Sequence, residues 1–279
     1  MLRLLEIEFH KLRYSKASKI LIITYFVLLT CIALFASIKF DNGPIKFHLA
    51  ELGIFNFPYV WHFNTFVAGL LKFFLLLVIV SMVSNEYSNK TIKQNLIDGL
   101  SKKEFILSKF YTVIAFSLIS TVFVFIVSLI LGLIYSSYKE PSIIFSDLEY
   151  LIAFFIKLVG FFSFGLFLGV LIKRSAFAVA TMIVLFFVEF ISYAIVSGYN
   201  RGTDVADNIY QFLPFKSLWN LIDEPGSRLS AVQAVAQQVG EDLAYDYAVH
   251  WYEIAIVLGW TALFIFLSLI HISEPTRPY

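Results

Sequence analysis

The chain alternates between long apolar stretches and short polar connections. Six of the apolar stretches reach about 20 residues, the length that an α-helix needs to cross the hydrocarbon core of a bilayer. Because that core offers no water to backbone amides, each stretch is expected to form a helix that satisfies its own hydrogen bonds. The pattern predicts an all-α polytopic membrane protein with six transmembrane helices. The predicted spans are residues 20–38, 63–84, 111–135, 150–172, 175–197 and 251–270.

Composition supports a membrane protein. Of the 279 residues, 59% are hydrophobic and only 15% are charged, which excludes a water-soluble globule. The formal charge of +1 gives no reason to expect nucleic acid as a partner. The single cysteine, Cys31, rules out a disulfide within the chain.

The Lys and Arg residues beside the spans predict the orientation, because cytoplasmic segments retain positive charge. With the amino terminus inside, 13 of these residues lie on the inner side and six on the outer side. The prediction is a multi-pass protein of the cytoplasmic (inner) membrane with both termini in the cytoplasm. The inner residues are Arg3, Lys11, Arg13, Lys16, Lys19, Lys90, Lys93, Lys102, Lys103, Lys109, Lys173, Arg174 and Arg277.

The first 19 residues precede the first span and carry an apolar stripe. Leu2, Leu5, Phe9 and Leu12 recur at helical spacing, with polar residues one position later. This pattern favours an amphipathic helix in the plane of the inner membrane surface. The alternative is a cytoplasmic helix that only carries topogenic charge.

The inner connection 85–109 carries its own helix signals. Apolar residues recur at every fourth position from 92 to 100, and Gly99 is placed to end that helix in a left-handed conformation. Ser101 and Glu104 form a capping box that begins the next helix, which runs into the third span. The prediction is a rigid helix–break–helix, and the alternative is a basic loop that only sets topology.

The order of these features resembles the membrane subunits of ABC transporters of the ABC-2 (type V exporter) permease family. The resemblance covers nearly the whole chain, and its loop motif is degenerate. It rests on the six spans, on the start of the chain with Glu6, Glu8, Phe9, Lys11, Leu12 and Arg13, and on the loop residues Glu86, Thr91, Leu96, Gly99, Ser101, Lys102, Phe105 and Lys109.

The resemblance implies a function and partners. In that family the corresponding loop forms a coupling helix that docks on a separate ATPase, and the amino-terminal helix is an elbow beside it. It therefore implies an exporter. The partners that it implies are an ATPase subunit dimer that binds ATP and Mg, a second copy or a related permease, and membrane lipids. The coupling residues that it implies are Glu86, Thr91, Leu96, Gly99, Ser101, Lys102 and Lys103.

The chain offers no nucleotide or metal motif of its own. No glycine is followed at the Walker spacing by Gly-Lys-Ser/Thr, so ATP would have to be bound by another polypeptide. The five histidines cannot be grouped by spacing into a metal site. No catalytic residue is expected. The alternatives to a permease are an intramembrane enzyme using Glu189 and a histidine, or a membrane scaffold.

Three ionisable residues fall inside the predicted spans. Lys72, Lys157 and Glu189 lie at similar depths, roughly 10–14 Å below the outer interface at 1.5 Å per residue. One hypothesis is that Glu189 pairs with Lys157 or Lys72 and either holds an outer gate closed or lines the substrate route. The alternative is that both lysines snorkel outward and Glu189 is protonated or bonded locally.

The remaining features concern packing and the ends of the spans. Gly165 and Gly169 form a small-x-x-x-small pair on the fourth span that permits close approach of another helix, in the same or a second subunit. The outer loop 198–250 contains an amphipathic pattern from Leu229 to Leu243, which would serve either as a lid or as a plain cover. The tail 271–279, with two prolines, is expected to be non-native and outside the fold.

Overall fold

A computed structural model describes residues 2–37, 40–42, 45–47, 53–89, 91–97, 99–200, 203–229, 232 and 246–273. Its helices are α1 (Leu2–Tyr14), α2 (Lys16–Ser37), α3 (Tyr59–Leu71), α4 (Phe73–Ser88), α5 (Thr91–Ile97), α6 (Lys102–Tyr135), α7 (Pro141–Ile144), α8 (Glu149–Ile172), α9 (Ser175–Tyr199), α10 (Val205–Tyr210), α11 (Pro214–Asn220) and α12 (Trp251–Ser273). A 3₁₀ turn spans Pro225–Arg228. Two short strands, β1 (Phe40–Asn42) and β2 (Ile45–Phe47), pair antiparallel with Phe40 opposite Phe47.

The described helices confirm the predicted all-α polytopic membrane class. The helices α2, α6, α8, α9 and α12 are each long and apolar enough to cross a membrane. A sixth crossing results if α3 and α4, which are bent by 43° at their junction, are one span.

The second predicted span, 63–84, is therefore two helices and not one. The bend lies at Lys72, whose backbone dihedrals stay near helical values (φ −53°, ψ −22°). A bend of this kind leaves the hydrophobic pattern unchanged, so periodicity predicts one continuous helix across it.

The helix α6 is longer than its apolar part. It begins at Lys102 with the predicted capping box, which is confirmed, and continues without a break to Tyr135. Its 34 residues extend to about 51 Å at 1.5 Å per residue, well beyond ~30 Å of hydrocarbon. The first turns of α6 therefore project from the apolar bundle beside α1.

The helix α8 lies at the centre of the bundle. It belongs to the most buried candidate span, in which 83% of the 18-residue apolar stretch is buried, and it packs against α3, α4, α6, α9 and α12. In the helix α9, by contrast, only 6% of the 18-residue apolar stretch is buried. The helix α8 therefore has neighbours on most sides, whereas α9, which is also apolar, presents most of its surface to the surroundings.

The bundle has two distinct ends. The elbow end carries α1, α5 and the α8–α9 connection, where Lys173 Nζ lies 5.6 Å from the centre of the Tyr87 ring. The far end carries the β-hairpin, α7, α10, α11 and the 3₁₀ turn. There the guanidinium of Arg228 lies 4.5 Å from the ring centre of Tyr247 and 5.3 Å from that of Tyr59.

Most of the amphipathic pattern predicted from Leu229 to Leu243 lies outside the described residues. The predicted tail 271–279 begins too early, because α12 continues through Ser273. Residues 271–273 keep the helical pattern of the last span, and residues 274–279 are not among those described.

Candidate functional site

Four charged side chains meet at the elbow end and join three helices. Lys109 of α6 donates from Nζ to Glu8 Oε2 of α1 and to Glu86 Oε1 of α4, each at 2.5 Å. Lys11 of α1 donates to the same Glu86 oxygen at 2.8 Å. Glu8 and Lys11 also approach each other, at 3.5 Å. We call these four residues the charge junction.

The charge junction is buried on all but one side. The side chains of Lys109, Glu8 and Glu86 are 0%, 3% and 6% exposed, whereas that of Lys11 is 41% exposed. Two carboxylates face two ammonium groups, so the formal charge of the group is zero. Burial lowers the pKa of Lys11, but its hydrogen bond to Glu86 and the charges of Glu86 and Glu8 raise it more, and the pKa lies above its usual 10.5.

The start of α5 is joined to the same cluster. Thr91 Oγ1 lies 3.4 Å from the backbone oxygen of Glu86 and 3.5 Å from its Oε2. The elbow helix, the end of α4, the loop helix and the start of α6 are therefore held together by Glu86. Removing one member would leave an uncompensated buried charge, which is far more costly than removing a whole pair.

The connection between α5 and α6 is exposed at Gly99 and Ser101. Gly99 has φ +94°, the left-handed conformation that its position predicts. Ser101 Oγ accepts from the backbone N–H of Glu104 at 3.2 Å, and the Glu104 carboxylate accepts from the backbone N–H of Ser101 at 2.9 Å. Lys102 and Lys103 follow this cap and are exposed. The side chain of Leu96 is outside the described part of the loop.

A polar groove lies between α1 and the start of α6. Its volume is about 170 Å³. Its lining consists of Arg3, Leu4, Ile7, Glu8 and Lys11 on the elbow helix, with Leu100 and Ser108 opposite. Lys102 and Lys103, which are exposed, lie on the first turn of the same helix α6.

Glu86 needs a correction. The family resemblance places it on the docking surface, but the structure places it inside the charge junction, 5% exposed. Its partner Lys109 also pairs with Glu8, which lies 101 residues away along the chain, so spacing could not reveal how the cluster is connected. The available signals were Glu8 and Lys11 one turn apart on α1, and a lysine at the start of an apolar helix.

The three intramembrane residues are not brought together as a salt-bridged cluster. Glu189 accepts hydrogen bonds from the backbone N–H groups of Phe215, at 3.2 Å, and Lys216, at 2.6 Å. Among the described residues no ion pair joins Glu189 to Lys72 or Lys157. The hypothesis of a Glu189–lysine pair is therefore replaced by local bonding, because α11 presents its free amino-terminal N–H groups to the carboxylate.

The two lysines lie against aromatic rings. Lys72 Nζ is 4.6 Å from the ring centre of Phe161, and Lys157 Nζ is 6.0 Å from that of Trp219. Lys157 is 4% exposed, so it does not snorkel to the surface. Burial raises the pKa of Asp223 at the far end above its usual value, and the charge of Lys157 opposes this shift.

Two glycines of α8, Gly165 and Gly169, contact α4. A side chain at Gly165 would overlap the Leu76 side chain, and one at Gly169 would lie 3.6 Å from the Val80 backbone oxygen. The close approach predicted for these glycines is thus to the second half of the α3–α4 pair in the same chain.

The geometry therefore consists of a polytopic bundle, an elbow helix and a loop helix that meet at a buried charge junction. The model of a family described as ABC-2 family transporter protein matches residues 2–272. The chain belongs to the ABC-2 transporter family. No curated protein matches the chain.

Membership in the ABC-2 family establishes the general role. The chain is a multi-pass membrane permease subunit of an ABC transporter. In ABC-2 permeases the membrane subunit is a transport component and not itself an enzyme.

Proposed function

We propose that this ABC-2 permease is driven by a separate ATPase that docks at the elbow end, and that it exports its substrate. The observation that supports coupling there is the charge junction, because Glu86 joins the elbow helix, the loop helix and α6. Three elements held by one buried ionic cluster move together when any of them is displaced.

The docking surface consists of the capped loop and the groove beside it. Lys102 and Lys103 provide positive charge, and the Ser101–Glu104 box fixes the direction of the helix that carries them. Lys102 and Lys103 contact the ATPase. Glu86 transmits the movement of α1 and α6 to α4, the helix that carries it. Thr91 begins the loop helix, and Gly99 follows its end in a left-handed conformation.

Movement at the elbow end would reach the rest of the bundle through α4 and α6. Both pack on the central α8, and the α4–α8 contact is close because Gly165 carries no side chain. Two discrete packings of such a contact would give the two states that alternating access requires. In this proposal the chain contributes these states, and the ATPase dimer binds ATP and Mg.

The membrane setting of the proposal is the cytoplasmic membrane with both termini inside. The permease acts with a second copy of itself or with a related permease, surrounded by lipid. The distribution of Lys and Arg supports this orientation, since 13 lie on the elbow side and six on the far side of the predicted topology.

Affinity purification in mild detergent tests the proposal. The wild type is compared with a Lys102→Gln, Lys103→Gln double variant and with Lys139→Gln, which removes an exposed lysine from the far end. A Walker-motif ATPase is expected to co-purify with the wild type and with Lys139→Gln. Its recovery with the double variant should fall about tenfold, because two charges leave the contact.

Two results would contradict the proposal. If no ATPase accompanies the wild type although other membrane complexes survive the detergent, the chain is not part of an ATP-driven complex and a scaffold role is favoured. If the double variant retains the ATPase as well as Lys139→Gln does, docking occurs on another surface.

A further inference from the structure

A cavity at the far end lies between α9 and α11, away from the charge junction. Its volume is about 260 Å³. The exposed side chains of Phe190 and Trp219, at 58% and 43%, lie at its mouth, so it opens on the outside of the bundle. Its lining consists of Phe186, Glu189, Phe190, Tyr193, Phe215, Lys216 and Trp219.

The position of the cavity is within the apolar part of α9. Glu189 lies ten residues before the end of the helix at Tyr199, about 15 Å along its axis. The surrounding surface of α9 is apolar and exposed, including Phe187 and Ile191. A ligand that reaches this cavity therefore needs apolar surface of its own.

Glu189 is a carboxylate for which the described part of the chain supplies no cationic partner. Its two oxygens each accept one backbone N–H, from Phe215 and Lys216, and it is 9% exposed. Within the described residues no Lys, Arg or His forms an ion pair with it. Each oxygen retains a lone pair, so the carboxylate can accept further hydrogen bonds from a ligand. An isolated carboxylate in such surroundings is costly unless a cation compensates it.

The lysine that lines the cavity does not provide that cation. The ammonium of Lys216 pairs with Asp207, 3.2 Å from Oδ1. The same ammonium lies 4.4 Å from the ring centre of Tyr193. Lys216 and Asp207 cancel in formal charge, which leaves the negative charge of Glu189 in the cavity.

Aromatic faces complete the site. Phe186, Phe190 and Phe215 pack around the carboxylate, with the rings of Phe186 and Phe215 edge to face at 5.5 Å. Aromatic faces attract cations, most strongly where water is excluded, and quaternary ammonium groups are recognised in such cages. A carboxylate inside an aromatic cavity therefore selects for positive charge, and the exposed apolar rim selects for a lipophilic molecule.

We propose that Glu189 and its aromatic surroundings form a binding site for lipophilic organic cations, such as ammonium or phosphonium compounds, that enter from the membrane. Glu189 compensates the positive charge, and the rings of Phe190 and Trp219 contact the apolar groups. As the site of a transported substrate, this inference rests on the proposed function. As a binding site it stands independently of the ATPase.

The test uses two probes of nearly equal size and opposite charge, tetraphenylphosphonium and tetraphenylborate. Binding of each is measured with the full chain in nanodiscs of zwitterionic lipid, by equilibrium dialysis against empty nanodiscs. The variants are Glu189→Gln, which keeps an oxygen acceptor for the N–H groups of α11, and Glu253→Gln, the same change outside the cavity. A Phe190→Leu variant removes one ring and leaves the charge.

The wild type and Glu253→Gln are expected to bind tetraphenylphosphonium in preference to tetraphenylborate. Glu189→Gln should weaken phosphonium binding about tenfold and leave borate binding unchanged, and Phe190→Leu should weaken phosphonium binding by a few-fold. Melting curves establish that each variant is folded. If folded Glu189→Gln binds phosphonium as the wild type does, or if the wild type binds both probes equally, the inference is wrong.

The two proposals fail separately. If phosphonium binding depends on Glu189 but no ATPase co-purifies, the cation site is supported and the ATP-driven transport role is contradicted. A co-purifying ATPase without Glu189-dependent binding would support the transport role and contradict the cation site.

Discussion

At the scale of single residues, Lys109 compensates the two buried carboxylates of the charge junction. It is completely buried and is the only member of the charge junction that contacts both carboxylates at 2.5 Å. Lys11, the other cation, is partly in solvent, where its interactions are screened. The stability of the elbow end should therefore depend on Lys109 more than on Lys11.

Replacing Lys109 with Met keeps the length of the side chain and removes its charge. It leaves Glu8 and Glu86 facing each other, and the free energy of unfolding should fall by about 3–5 kcal/mol. Thermal unfolding in detergent measures the loss as a lower melting temperature. Lys19→Met, at an exposed position, is the control and should have little effect.

A second variant isolates the cause. Glu8→Gln combined with Lys109→Met removes one charge of each sign and leaves the Lys11–Glu86 contact at 2.8 Å. Most of the lost stability should return. If the single variant melts like the wild type, the junction does not hold the three helices together.

The Ser101 cap offers a local prediction at the same scale. Ser101→Ala removes the oxygen that accepts from the Glu104 N–H and should destabilise the first turn of α6 by about 1 kcal/mol. Hydrogen–deuterium exchange of residues 102–106 measures this as an increase of roughly fivefold in rate. Ser137→Ala, at an exposed serine of the far end, is the control, and unchanged exchange in Ser101→Ala would contradict the cap.

At the scale of elements, the α4–α8 contact predicts different effects for two neighbouring glycines. Alanine at Gly165 must displace the buried Leu76, whereas alanine at Gly169 meets only an ordinary contact with Val80. Gly165→Ala should be less stable than Gly169→Ala by about 1–3 kcal/mol, because overpacking opposes the gain in helix propensity. Comparing the melting temperatures of the two variants tests this, and equal values would show that α4 accommodates the methyl group.

Elements that depend on local chemistry could be predicted from the sequence. The cap at Ser101 and the left-handed Gly99 follow from residues within a few positions of each other, and both are found. The bend at Lys72 does not interrupt the hydrophobic pattern, so the sequence could not predict it. The contacts of Glu189 with α11 and of Glu8 with Lys109 depend on tertiary packing, which brings together groups that the chain separates. Sequence therefore identified the charged residues as important but not their partners.

At the scale of the whole molecule, the orientation in the membrane decides which end meets the ATPase and which faces the outer leaflet. The elbow end has the excess of Lys and Arg, which cytoplasmic segments retain. The charge junction and the exposed lysines of the loop would then lie in the cytoplasm, where ATP is available. The Glu189 cavity would open in the outer half of the bilayer.

Cysteine labelling in intact cells tests this orientation directly. Cys31 is the only cysteine, so Cys31→Ser gives a background without thiols. Single cysteines are then placed at the exposed positions Lys139 and Asp204 of the far end, and Lys103 and Arg174 of the elbow end. A membrane-impermeant maleimide should label the far-end pair in intact cells, and the elbow-end pair only after the cells are opened. The reverse pattern would invert the topology, and with it would contradict ATPase docking at Lys102 and Lys103, because the nucleotide would be on the wrong side of the membrane.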